Sequence, residues 1–109
     1  MTINELAKKI KGEILALPDP KAEVMGGYCG DLLSNVMAKA KSGQVWITVI
    51  THAAILGVAA VSKVSGILIV ENSEIDTNVI KKAQENGVNV IRTSLSAYEV
   101  ANLIGEFNI

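Results

Sequence analysis

The sequence predicts an α/β fold of three layers, a mainly parallel β-sheet flanked by helices, and three observations lead there. Val45-Trp46-Ile47-Thr48-Val49-Ile50 and Ile67-Leu68-Ile69-Val70 are β-branched and apolar runs, the composition of strands buried on both faces. Between them, Ala53 to Val61 is small and aliphatic, which favours helix, and Ser65-Gly66 closes it. Strand, helix and strand make a βαβ unit, and such a unit joins parallel strands by a right-handed crossover. That helix is also apolar nearly all round. One side packs on the sheet, so the other needs a cover, either another helix or a second subunit.

The remaining elements follow in chain order. Ile3, Leu6, Ala7 and Ile10 mark one helical face, with Thr2 and Glu5 as a capping box and Gly12 as the stop. Glu13 to Leu17 reads as a short strand ended by Pro18-Asp19-Pro20, and Ala22 to Met25 as a second. A glycine-rich loop, Gly26 to Asp31, leads into an amphipathic helix over Asp31–Lys41 carrying Leu32, Leu33, Val36, Met37 and Ala40. Met25 and Met37 read as core. Beyond the βαβ unit, Ser73 to Asp76 has capping-box spacing ahead of a helix with Ile75, Val79, Ile80 and Ala83 on one face, and Asn86-Gly87 ends it. Val88–Ile91 is the third parallel strand. Ser96 and Glu99 form another capping box, opening a helix with Val100, Ala101, Leu103 and Ile104 inward.

At 109 residues the chain is read as a single domain, residues 1–109, able to bury about two-thirds of its unfolded surface. The formal net charge is -1, without a basic run or aromatic ladder, which argues against nucleic acid as a partner. Cys29 is the sole cysteine, so no intrachain disulfide forms and a cytoplasmic location is the expectation. The apolar middle is interrupted by His52 and Lys63 and is too short to span a bilayer, and the N-terminus lacks a signal-peptide layout.

Parallel strands collect their outgoing loops on one rim, where open α/β sheets bind ligands. Four loops are expected there: Gly26 to Asp31, Thr51-His52, Glu71 to Ser73 and Thr93 to Ser96. The first allows close backbone approach before a helix N-terminus, but matches no nucleotide-binding fingerprint, and it serves equally as a tight turn. His52, the one histidine, reads as a strand-end residue or a ligand contact; it lacks companions for a metal site. Cys29 reads as a small buried hydrophobe or as a thiolate paired with His52, though no third, orienting group is evident. Asp31 can cap its helix, and Glu71 can face solvent.

The run Gly27-Tyr28, Gly30-Asp31-Leu32-Leu33-Ser34, then Thr51, then Ile75-Asp76, Ala83, Asn86-Gly87-Val88, Val90-Ile91-Arg92-Thr93, Ser96 and Glu99-Val100 resembles the DRTGG domain family. It is also similar to the N-terminal domain of HPr kinase/phosphorylase, which shares a fold with the N-terminal domain of the MurF ligase. The family's Asp-Arg pair and Thr-Gly-Gly triplet correspond here to His52-Ala53 and Glu71-Asn72-Ser73. Kinase activity in that family belongs to a separate domain with a phosphate-binding loop, and these residues contain no such loop. The resemblance therefore implies an accessory, regulatory role.

The combined expectation is a non-catalytic regulatory or small-ligand-binding module needing no cofactor or metal. Gly26, Gly27, Tyr28, Gly30, Asp31, Thr51, His52, Asn72 and Thr93 would hold a small polar metabolite. A homodimer or a place in a larger complex is expected, with no membrane partner. The alternative is a protein-interaction subunit without a small ligand, supported by the doubly apolar Ala53–Val61 helix and the Phe107-Asn108-Ile109 tail. An enzyme using Cys29 and His52 is the third reading.

Overall fold

Thr2 Oγ1 accepts from the Glu5 amide at 3.2 Å while Glu5 Oε1 accepts from the Thr2 amide at 3.0 Å, and this closed capping box opens helix α1 (Ile3–Lys9). The computed structural model describes all 109 residues. After α1 come β1 (Glu13–Ala16), β2 (Gly27–Cys29), α2 (Leu33–Lys39), β3 (Val45–Thr48) and α3 (Ala54–Ser62). The chain then forms β4 (Gly66–Ile69), α4 (Thr77–Glu85), β5 (Val90–Arg92) and α5 (Ala97–Gly105).

The sheet order is β1-β5-β4-β3-β2, with β2 to β5 parallel and β1 antiparallel on the edge beside β5. From β2 to β5 each connection moves one strand in the same direction. Right-handed crossovers therefore lay α2, α3 and α4 on one face. The period-2 alternation of the strands divides the core accordingly. Trp46, Ile67, Ile69 and Val90 point to the face with Val36, Ile55, Leu56, Ala59, Val79 and Ala83. Val45, Ile47, Leu68 and Ile91 point to the other, with Ile3, Leu6, Ala7, Val100 and Ile104 of α1 and α5. The three-layer, mainly parallel α/β fold expected from the sequence is the fold observed. No helix is long and apolar enough to cross a membrane.

Several local expectations are corrected. The Gly26–Asp31 stretch is not a loop throughout, because Gly27–Cys29 pairs with Val45–Ile47 as a fourth parallel strand. Without it the unpaired backbone groups of β3 would form the sheet edge, and glycine is no bar to a short edge strand. Ala22–Met25 is not a strand of the sheet. Glu23 bridges only Thr2, and the Val24 amide donates to the Met1 carbonyl, which ties the segment to the chain start. Ser73 does not cap α4; its hydroxyl donates to the Val70 carbonyl, and Asp76 caps instead by accepting from the Asn78 amide. Met25 and Met37 are not core, being 68% and 50% exposed. The outer side of α3 has no cover, and Gly57 and Val61 stand in the open.

Candidate functional site

The outgoing ends of β2, β3, β4 and β5 lie on one rim because these strands are parallel. Gly30 and Asp31 stand there as ties to β3. The Asp31 Oδ1 atom accepts from Thr48 Oγ1 at 2.8 Å and from the Val49 amide at 2.9 Å, and the Trp46 indole donates to the Gly30 carbonyl at 2.9 Å. Asp31 thus does not cap α2, whose first residue follows Leu32 without a side-chain cap. Thr48, buried to 1% exposure, is the partner that the sequence reading missed. Its spacing from Asp31 spans a helix and carries no local signal.

Beyond Thr48 the chain turns into α3 through Ile50, Thr51 and His52. The Ile50 amide donates to Thr48 Oγ1, whereas the amides of Thr51, His52, Ala53 and Ala54 have no acceptor within the protein. No side chain caps α3 either. The result is a turn and helix start whose amides keep free donor capacity, with the positive partial charge of the α3 N-terminus at Ala53 and Ala54. His52 is exposed beside them and Thr51 is half-buried.

Across the rim the loops after β4 and β5 are stitched together. The Glu71 amide donates to Leu95 O at 2.9 Å and the Asn72 amide to Thr93 O at 2.8 Å. Arg92 Nη1 reaches Ser73 O at 3.3 Å, and its Nε and Nη2 meet Glu13 Oε1 at 3.0 and 2.9 Å. This guanidinium is occupied by its own chain. Thr93 is buried, and its hydroxyl accepts from the Leu95 amide at 3.2 Å. Asn72 is exposed, with left-handed backbone at φ 51°, next to Glu71 at 58°.

The structure therefore divides the candidate residues. Gly30, Asp31, Thr51, His52, Asn72 and Thr93 belong to the rim. Gly26 and Gly27 stand at the other edge, where Gly27 pairs with Val45 at the start of β3, about 10 Å from Thr48 at the strand rise. Tyr28 packs its ring against the α2–α3–α4 core, and a Cβ on Gly30 would fall 2.8 Å from that ring, so a larger residue there would have to push it aside. Gly26 and Gly27 line a separate cleft of about 190 Å³ with Cys29, Ile47, Ile104 and Ile109, on the α5 side. A second cleft of about 270 Å³ lies between the ends of α3 and α4. Both are below the roughly 300–1,000 Å³ of typical ligand pockets.

Cys29 opens into the α5-side cleft, whereas His52 leads into α3 on the opposite face of the sheet. Desolvation in the cleft, and then the negative charge of Asp31, push the Cys29 thiol up from its ordinary range. That is the reverse of what an activated thiolate needs. No group of three or more His, Cys, Asp or Glu side chains is placed to hold a metal ion.

A mainly parallel sheet with helices on both faces gathers its polar loops on one rim, the edge at which open α/β sheets bind ligands, and this defines the chain as an α/β domain of that architecture. The DRTGG domain model matches residues 5–107, and the chain belongs to that family. No curated protein matches it in sequence. Among solved structures, the chain resembles the CBS and DRTGG domains of the regulatory region of Clostridium perfringens pyrophosphatase, a structure complexed with the activator diadenosine tetraphosphate. The TM-score is 0.71 at 17% identity, over 94% of this chain and 45% of that one. The present chain thus spans less than half of that regulatory region.

Proposed function

We propose that this chain is a non-catalytic regulatory module that binds a small polar ligand at the rim. The observation carrying this reading is the turn into α3, where four successive backbone amides, Thr51 to Ala54, have no acceptor within the chain. His52 and Thr51 flank them, and Asn72 and Thr93 stand on the same rim. Asp31 and Glu71 make the rim unfavourable for a polyphosphate held by charge alone, since no free guanidinium faces them. The recognition available is hydrogen bonding by amides, a hydroxyl, an imidazole and a carboxamide. Nucleosides and nucleotides are the first class to test, because the pyrophosphatase region that shares this fold was solved with diadenosine tetraphosphate. The raised Cys29 thiol and its separation from His52 by the sheet support the non-catalytic reading.

A thermal-shift screen with nucleosides, nucleotides and other small polar metabolites tests the proposal. A ligand at a hundredfold excess over its Kd stabilises by about 2.7 kcal/mol, which is a Tm rise of roughly 10 °C for a domain of this size. The expected rise is lost or halved in His52→Ala and Asn72→Ala. Equal responses in wild type and both variants would remove these residues from the site. The second reading, an interaction subunit, draws on the uncovered face of α3.

A further inference from the structure

Helix α3 is the middle helix of its layer, set between α2 and α4 by the strand order. Its inward arc carries Ile55, Leu56, Val58 and Ala59, all buried. Its outward arc carries Ala53, Ala54, Gly57, Ala60 and Val61, all exposed, with Gly57 at the centre on a helical projection. No charged residue occurs from Ala53 to Ser62. A Cβ on Gly57 would meet nothing within 4 Å, and Val61 is 65% exposed. Glycine is disfavoured inside a helix, and nothing within this chain makes use of its small size.

The charges around this apolar centre are polarised. The three helices of the layer all start at the rim, so Asp31, Glu74 and Asp76 lie at its upper end. Lys39, Lys41, Lys63 and Lys82 lie toward its lower end, with Glu85 the one acid among them, and all of these are exposed. A face that is acidic at one end, basic at the other and apolar between is its own complement after a half-turn about an axis through its centre.

We infer that the α2–α3–α4 face binds a second copy of this chain, with α3 crossing its symmetry mate antiparallel at Gly57. The half-turn sets each acidic end over the partner's basic end and brings the small residues together, where glycine lets the two helix axes approach. A parallel arrangement would oppose like charges. The area is sufficient: a stable interface takes about 800 Å² from each partner. One broad face of a body measuring 32 × 27 × 25 Å supplies it. This inference is independent of the ligand proposed at the rim.

Sedimentation equilibrium from about 1 to 100 µM tests it, that range bracketing the Kd of an ordinary soluble dimer. Wild-type protein is expected at twice the 11.5 kDa chain mass, with association weakening as salt is raised. Gly57→Gln places a long side chain at the crossing while favouring helix, so an unchanged far-UV circular dichroism spectrum with at least about tenfold weaker association supports the interface. Wild type at 11.5 kDa throughout overturns it, as does a Gly57→Gln dimer as tight as wild type. Should Gly57→Gln fail to fold, Lys63→Glu decides: weaker association supports the charge pairing, and unchanged association overturns it. The rim's ligand response is read separately in the thermal-shift screen, so either result can fail alone.

Discussion

On one face of the sheet, α1 and α5 each begin with a closed capping box, Thr2 with Glu5 and Ser96 with Glu99. They meet across a buried aliphatic cluster, and Lys9 Nζ sits 5.3 Å from the centre of the Phe107 ring to tie the two helices at one end. On the other face, α2 and α3 begin without any side-chain cap, and α3 shows the solvent an apolar surface. The first layer is finished by its own residues. The second is secured from beneath by Trp46, Ile67 and Ile69, while its outer side has no partner in the chain. Local helix signals and tertiary cover are thus separate requirements, and this protein meets both on only one side.

The largest expected effect comes from opening the finished face. Leu6 has no exposed surface, and Leu6→Ala should cost about 2–5 kcal/mol in urea denaturation, the usual range for a truncated core leucine. Met37→Ala on the opposite layer removes a side chain that is half exposed, and should change the unfolding free energy by under about 0.5 kcal/mol. Similar costs at the two positions would mean that Met37 is buried after all, and the contrast between the faces would be lost.

An intermediate effect is expected at the seam where the two faces join. The chain leaves β4 toward α4 and leaves β5 toward α5, and the loops are bonded to each other through the Glu71 and Asn72 amides. Both residues are left-handed, which disfavours a side-chain-bearing residue by about 1–2 kcal/mol. Glycine recovers this, less about 0.5–1 kcal/mol of added backbone entropy in the unfolded chain. Glu71→Gly keeps the amide bond to Leu95 and should raise stability by up to about 1 kcal/mol, measured as a shift in the urea midpoint at unchanged slope. Asn tolerates this conformation better, so Asn72→Gly should gain less.

What the sequence disclosed follows the range of its interactions. The capping boxes of Thr2 and Ser96 and the runs of β3 and β4 are local and were legible. The pairing of Gly27–Cys29 was not, because a three-residue strand made of Gly, Tyr and Cys has no strand pattern of its own and exists only against β3. The same holds for Asp31: its place before α2 suggests a helix cap or a ligand contact, whereas its carboxylate accepts from Thr48, seventeen residues on. Ser73 had the right spacing for a cap, yet Asp76 took the role because the αL turn at Glu71 and Asn72 starts the helix later. Periodicity put Met37 on the apolar side of α2, but β2 is the sheet edge, and that helix has little beneath it on its outer flank.

The smallest effect is a pH dependence confined to one face. Glu5 and Glu99 both titrate below the ordinary carboxylate value of 4.5, because each accepts a backbone amide bond, from Thr2 and Ser96, and interacts with the same residue's hydroxyl. A carboxylate whose value is lower in the folded chain contributes stability above its unfolded value, and that contribution is lost as the pH falls through the folded one. Both carboxylates belong to α1 and α5, so acid should loosen the face that neutral conditions favour. The protection of first-turn amides of α1 and α5 against hydrogen exchange, taken relative to the intrinsic rate at each pH, is expected to fall below about pH 4.5 before that of the α3 interior changes. Glu99→Gln keeps an acceptor for the Ser96 amide without a titrating charge, and should flatten the acid response of α5 while leaving that of α1 in place. If α3 opened first in acid, the capping boxes would not be what distinguishes the two layers.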